Sequence, residues 1–167
     1  MPITDVTNDP DQLTLTVVGE YPVPVDRLWQ AWADPRQRER FWGPPTWPAT
    51  FASNELVEGE RCDYFMTGPD GERVFGYWRI ESVEPLHRIE LVNGFSTDDG
   101  APDDDLPTMH MTIDFERAGE GSRFALRTTF PSTAAMEQVL AMGMEEGLTL
   151  ALGQIDDVLA DLAARPH

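Results

Sequence analysis

The fold is decided by residues 108–130, TMHMTIDFERAGEGSRFALRTTF, and by the segment that follows them. On both sides of Gly119 and Gly121, apolar residues alternate with polar ones. This period of two is typical of strands that bury one face, and the glycines between them favour a tight turn. We therefore predict strands over 108–117 and 122–130, joined as a hairpin with one covered face and one solvated face.

The element that covers this face is predicted in residues 133–164, the longest helical pattern of the chain. Its apolar residues recur at three- and four-residue spacing and form one stripe, and Ser132 or Thr133 can cap its start. We expect one uninterrupted helix. Gly143 and Gly147 lie on or beside the stripe, where each costs about 1 kcal/mol relative to alanine. Two explanations stay open: tight packing against neighbouring elements, or a thinned wall at a pocket entrance.

Upstream of the hairpin, short apolar segments separated by turn residues predict further strands over 49–57, 60–67, 73–83 and 87–95. A first strand begins near Leu13. Two short helices follow it: the first is predicted to be capped by Asp26 and to end before Asp34-Pro35, and the second covers 35–42 and ends before consecutive prolines. The predicted class is α+β: a curved antiparallel sheet of about seven strands wrapped around a long C-terminal helix. We expect a disordered tail over 1–11, a single domain over 12–164 and a tail over 165–167.

Composition excludes several functions. The 12 basic residues are all arginine against 30 acidic residues, and the net charge is −18. Without lysine, neither a Schiff-base enzyme nor a Walker phosphate loop is possible. An acidic surface is a poor partner for nucleic acid or membrane. The single cysteine, the lack of a signal-like start and the lack of a long apolar run predict a cytoplasmic protein without disulfides.

Local motifs carry a family resemblance, because their order and spacing together are specific for a fold. They are Pro24-Val-Asp-Arg-Leu-Trp29, Phe41-Trp42-Gly43-Pro44, Gly68-Pro-Asp-Gly71, Gly76-Tyr77-Trp78-Arg79-Ile80 and Gly143-Met-Glu-Glu-Gly147. Over about residues 12–163 the chain resembles the SRPBCC superfamily, which shares the helix-grip fold of START domains and the birch pollen allergen. Within it, the chain resembles the branch named after the C-terminal domain of the activator of heat shock protein 90 ATPase.

The resemblance implies a hydrophobic cavity between helix and sheet, and the strand phase and helix stripe suggest its lining. Any one of these residues could instead be ordinary core. Cys62 and Leu148 stand where the family usually has large rings, which suggests a roomier cavity. Asn93, Tyr64 and Tyr77 could orient a polar ligand group. The predicted lining is Phe41, Trp42, Cys62, Tyr64, Met66, Trp78, Leu91, Asn93, Phe95, Met109, Met111, Phe130, Met136, Glu137, Leu140 and Met144.

Few residues look catalytic. Glu137 projects near the middle of the helix stripe, where a carboxylate facing an apolar cavity would have a raised pKa and could act as acid or base. The alternative is an acid in the first helical turn, where it would interact with the helix dipole. The three histidines are predicted to be solvated, and no metal site or cofactor is expected. The aspartate-rich segment 96–107 is predicted to be a flexible loop, with a lid at one end of the cavity as the alternative.

These observations favour a small-molecule binding protein whose internal cavity holds an apolar or aromatic metabolite or lipid. The alternative is an enzyme resembling polyketide cyclases and aromatases, with Glu137, Tyr64 and Asn93 as the first residues to test. A co-chaperone role is the least favoured. The protein is expected to be a monomer or a homodimer.

Overall fold

A computed structural model describes residues 3–52 and 56–164. In this part of the chain, eight antiparallel strands form one sheet in the order β1-β2-β8-β7-β6-β5-β4-β3. The predicted α+β class with a single antiparallel sheet is confirmed. The strands are β1 (Ile3–Asp9), β2 (Thr14–Tyr21), β3 (Ala49–Phe51), β4 (Arg61–Thr67), β5 (Arg73–Glu84), β6 (Arg88–Ser96), β7 (Met109–Ala118) and β8 (Gly121–Thr129).

The extra strand lies at the N-terminus. Residues 3–9, expected to be part of a disordered tail, pair with β2 from Ile3↔Gly19 to Asp9↔Thr14. Most of the β1 side chains are exposed. Its backbone hydrogen bonds to the edge of β2 therefore hold it in place, which composition could not show. At the other edge β3 ends at Phe51, whereas a strand was predicted over 49–57. Part of that prediction, residues 53–55, and the predicted tail at 165–167 lie outside the described residues.

Two short helices, α1 (Val25–Ala33) and α2 (Pro35–Trp42), follow β2 as predicted. Asp34 separates them: its carboxylate accepts a hydrogen bond from the Arg36 amide at 2.9 Å and so caps α2, while Pro35 takes the first helical position. Asp26 is not the cap of α1. Pro24 occupies that position, and Asp26 lies in the first turn.

The long C-terminal helical region is present but is divided into α3 (Thr133–Ala141), α4 (Met144–Leu152) and α5 (Ile155–Ala164). The prediction of one uninterrupted helix is wrong in this respect. Gly143 adopts φ +88°, a left-handed conformation that ends α3, and its amide donates to the Leu140 carbonyl at 3.0 Å. Gly153 and Gln154 separate α4 from α5. Ser132 caps α3 as predicted, accepting from the Ala135 amide at 3.1 Å.

Under α1 and α2 the sheet is covered by a tight aromatic cluster, which we call the packed half of the helix-covered face. Trp32 lies fully buried at its centre. Its ring centroid is within 6.4 Å of the centroids of Phe41, Trp42, Trp78, Phe115 and Phe124. These contacts anchor α1 and α2 on the sheet.

The packed half also contains a fully buried arginine that sequence analysis did not identify. Arg38 Nη1 donates to the Trp32 carbonyl at 2.9 Å. Its guanidinium lies 4.4 Å from the Phe51 ring centroid and 5.0 Å from that of Trp78. Burial lowers the pKa of Arg38 to about 10. The carbonyl and the ring faces compensate in part for the lost hydration of this cation.

Candidate binding cavity

Beside the packed half, the space between α3, α4 and the sheet is not filled. It forms a cavity of about 210 Å³, which we call the open half of the helix-covered face. This volume exceeds the roughly 150 Å³ of an apolar cavity that holds benzene, and it is below the roughly 300 Å³ at which drug-sized pockets begin. The wall consists of Trp42, Pro44, Tyr64, Met66, Asn93, Phe95, Met109, Met111, Val139, Met142, Gly143, Met144, Gly147 and Leu148.

Half of the predicted lining residues lie in this wall: Trp42, Tyr64, Met66, Asn93, Phe95, Met109, Met111 and Met144. Most of the other predicted residues are core, since the structure buries Phe41, Cys62, Trp78, Leu91, Phe130 and Met136. Leu140 is partly buried against that core. Strand phase therefore identified the correct face of the sheet, but it could not show how far along that face the cavity extends.

Glu137 is exposed on α3 and is not part of the cavity wall. The prediction that its carboxylate faces the cavity is wrong. It also lies beyond the first turn of α3, which holds no acidic residue. The break at Gly143 changes the helical phase, so a projection that assumes one helix over 133–164 misplaces side chains near the break.

Six residues of the wall are absent from the predicted lining, and three of them, Pro44, Val139 and Met142, were not expected near the cavity at all. Pro44 follows Gly43, the C-cap of α2, and Met142 lies at the break between α3 and α4. Leu148, which is smaller than the ring usual in the family, does line the cavity. Cys62 does not: it is fully buried in the core. The hypothesis of a roomier cavity therefore fits Leu148 and not Cys62.

Methionines dominate the wall. Of the seven in the chain, Met66, Met109, Met111, Met142 and Met144 line the cavity. Their side chains are unbranched and polarizable, so they adapt to irregular shapes and make favourable contacts with aromatic rings. A wall of this kind suits a planar, apolar guest.

Two glycines of the wall explain why space remains under α4. A Cβ atom added at Gly143 or Gly147 would meet nothing within 4 Å. Tight packing, one of the two explanations left open, is therefore wrong for both. The left-handed conformation of Gly143 accounts for that glycine. Gly147 is helical and has no such requirement, and it borders the cavity without a side chain.

One end of the cavity is polar. The Tyr64 hydroxyl on β4 donates to Asn93 Oδ1 on β6 at 3.0 Å, and both residues are buried. Burial raises the pKa of Tyr64 to about 12, an effect that the neighbouring Trp42 indole and Asn93 partly oppose. At neutral pH the cavity therefore contains an uncharged phenol that keeps its proton.

Gly76 makes this hydrogen bond possible. Because β4 and β6 both pair with β5, their backbones run about 9–10 Å apart, and Asn93 is offset from Tyr64 by two residues along the strands. Gly76 pairs with Tyr64, and a Cβ there would lie 2.6 Å from the Tyr64 Cζ and hydroxyl oxygen. The absent side chain lets the ring cross β5. Tyr77, next in sequence, points to the other face, where Arg61 covers its ring at 4.3 Å.

The segment 96–107 is held by local turns. The Thr97 amide donates to the Ala101 carbonyl at 2.8 Å. The Asp99 carboxylate accepts from the Ala101 amide at 3.1 Å and from the Thr97 hydroxyl, and these bonds, chiefly that from Thr97, lower its pKa. Of the described residues, none from 97 to 107 belongs to the cavity wall. Nor do His, Cys, Asp and Glu side chains in the described ranges form a group of three able to hold a metal.

The chain belongs to the family described as Activator of Hsp90 ATPase homolog 1-like protein, whose model matches residues 22–160. This confirms the resemblance to the SRPBCC branch. No curated protein matches the chain. Across the described residues, no helix combines the length and the apolar character needed to cross a membrane.

Solved structures agree with this assignment. An NMR structure of a protein from Arthrobacter aurescens is 41% identical, with a TM-score of 0.90 over 95% of this chain and 92% of that one. The crystal structure of protein Ms6760 from Mycobacterium smegmatis is 44% identical, with a TM-score of 0.86 over 99% and 100%. DynU16, from the dynemicin biosynthetic locus, shares the fold at 18% identity and a TM-score of 0.61, over 89% of this chain and 47% of that one.

Proposed function

We propose that the protein binds a compact apolar or aromatic small molecule in the open half of its helix-covered face. The observation that carries this proposal is Gly147. A glycine inside a helix lowers the stability of α4, and no backbone conformation at this position requires one. A Cβ at Gly147 would meet no atom within 4 Å, and the residue borders an apolar cavity. A ligand that occupies this space accounts for the glycine, and the thioether wall suits such a ligand.

Native mass spectrometry of freshly purified protein tests the proposal. We expect a mass above that of the 167-residue chain, and we expect unfolding to release the bound molecule. If the ligand is lost during purification, a panel of one- and two-ring compounds should raise the melting temperature. A ligand at 100 times its Kd stabilises a protein by about 2.7 kcal/mol. A protein that carries no molecule and responds to no member of the panel would contradict the proposal.

An enzyme of the polyketide cyclase or aromatase kind is the alternative. DynU16 belongs to a biosynthetic locus, but a likeness at 18% identity extends to the fold alone. The exposed position of Glu137 removes the carboxylate that was expected to move protons in the cavity. Tyr64 keeps its proton at neutral pH, so it can donate a hydrogen bond and cannot serve as a base. Binding accounts for these residues without a reaction.

A co-chaperone role is suggested by the family description alone. A pull-down with a purified bacterial Hsp90 homologue tests this role, and we expect no enrichment of the chain. Specific retention of the chain would favour the co-chaperone role over ligand binding in the cavity as the main function.

A further inference from the structure

We infer that the ligand is an uncharged ring compound carrying a carbonyl or similar acceptor, and that the Asn93 amide nitrogen donates to that acceptor. This inference rests on the proposed function and narrows it to a ligand class. It combines two properties of the cavity: the absence of charged side chains from the described wall and the presence of one buried, oriented amide.

The wall excludes ions. Apart from Tyr64, whose raised pKa keeps it neutral, no described residue of the wall has a side chain that ionises. A carboxylate or ammonium ligand would lose its hydration without gaining a counter-charge, and that loss is large in an apolar site. Arg38, the arginine that is buried among the described residues, belongs to the packed half and is not part of the wall.

The side-chain amide of Asn93 has a defined orientation. The Trp42 indole N–H, itself a donor, lies near the Tyr64 hydroxyl without a good hydrogen-bond geometry. The Tyr64 proton is therefore directed to the Asn93 oxygen, and the amide nitrogen is left on the other side. In the described part of the chain no acceptor is paired with that nitrogen. A ligand acceptor placed there would complete the hydrogen bonding of a residue that is buried in the wall.

A matched series of ligands tests this inference on the unmodified protein. Tetralin is a two-ring hydrocarbon, 1-tetralone adds a carbonyl to it, and 1-naphthoate is a two-ring aromatic compound of similar size that carries a negatively charged carboxylate. By isothermal titration calorimetry we expect 1-tetralone to bind about three- to tenfold more tightly than tetralin, the gain typical of one neutral hydrogen bond. We expect 1-naphthoate to bind at least roughly tenfold more weakly than 1-tetralone.

Substitutions test whether the tighter binding of 1-tetralone depends on the Asn93 amide. In Asn93→Leu, the affinity for 1-tetralone should fall to that of tetralin, while the affinity for tetralin should change little. Thr112→Val is the matched control, because Thr112 is also a buried polar residue but lies outside the cavity wall. It should leave both affinities unchanged. Infrared spectroscopy of bound 1-tetralone needs no variant: the carbonyl stretch should lie at lower frequency than in hexane.

The outcomes separate this inference from the proposed function. Equal or tighter binding of tetralin, or a carbonyl stretch equal to that in hexane, would overturn the role of Asn93 and leave the binding proposal standing. Tightest binding of 1-naphthoate would overturn the uncharged ligand class. Failure of all three compounds to bind, together with an empty cavity in native mass spectrometry, would overturn the proposed function itself.

Discussion

The packed half and the open half of the helix-covered face lie side by side on one sheet, yet only one of them is filled. Large rigid rings around Trp32 fill the space under α1 and α2. Methionines and Gly147 line the space under α4 and leave it empty. One sheet therefore combines two kinds of packing: rigid rings hold the fold in the packed half, and flexible or missing side chains leave room in the open half.

The largest effect expected from this comparison is on stability in the packed half. Trp32→Ala should lower the free energy of unfolding by about 3–5 kcal/mol, because it removes a fully buried ring from the centre of the cluster. Met144→Ala in the open half should cost less than half as much, since Met144 is only partly buried and borders empty space. Urea denaturation measures both, and equal losses would contradict the division into two halves.

The next effect concerns the break in the C-terminal helix. Gly143→Ala should destabilise the protein by about 1–3 kcal/mol, because alanine is strained at φ +88°. The empty space around this position offers no contacts in return. Thermal unfolding followed by circular dichroism is the measurement. An unchanged melting temperature would show that residues 133–152 accept a continuous helix.

A smaller, pH-dependent effect is expected at the polar end of the cavity. An exposed tyrosine ionises near pH 10, but folded Tyr64 keeps its proton up to about pH 12. The stability that depends on this proton is complete below pH 10 and falls as pH rises towards 12. Tyr64→Phe should lose about 1 kcal/mol at pH 7 with the hydrogen bond to Asn93. Because the variant has no phenol at position 64 to ionise, its free energy of unfolding should fall less steeply above pH 10 than that of the unmodified protein.

Tyr21 provides the control for this titration. Burial raises its pKa as well, with Asp156 as the second cause, so part of the alkaline loss of stability should persist in Tyr64→Phe. Denaturation curves at pH 8, 10 and 11 would measure the difference. Identical pH profiles for the unmodified protein and the variant would contradict the raised pKa of Tyr64.

The smallest expected effect on stability has the opposite sign. Gly147→Ala should stabilise the protein by about 0.5–1 kcal/mol through helix propensity, since the new methyl group meets no atom within 4 Å. The same methyl group enters the cavity, so the affinity for 1-tetralone should fall. A variant that is more stable and binds 1-tetralone as well as the unmodified protein would show that Gly147 has no role in making room for a ligand.

Features that depend on the local sequence pattern could be predicted, whereas features that depend on the packing and pairing of separate elements were missed. Alternation in 108–130 indicated the hairpin and its covered face, and the periodicity of 133–164 indicated the helical region above it. The pairing of β1 with β2 was missed because backbone hydrogen bonds hold it and its side chains carry little signal. Glu137 was misplaced because one left-handed residue, Gly143, changes the helical phase.

Candidate site residues show the same limit. Tyr64 and Asn93 could be assigned to the covered face by counting along strands. Their hydrogen bond could not be predicted, because it spans β5 and depends on the missing side chain of Gly76. Arg38 looked like one polar residue among several in α2, and only the packing of Phe51 and Trp78 around it shows that it is buried.

Methyl NMR of protein labelled at the methionine Cε carbons tests the central claim most directly. During titration with 1-tetralone, the resonances of Met66, Met109, Met111, Met142 and Met144 should shift through the ring current of the ligand. Met136 is the internal control, since it is buried in the core but not part of the cavity wall, and its resonance should stay in place. Saturating shifts confined to the five cavity methionines are the predicted result. Binding that leaves these five unchanged, or that shifts Met136 as strongly, would contradict the claim that the open half is the binding site.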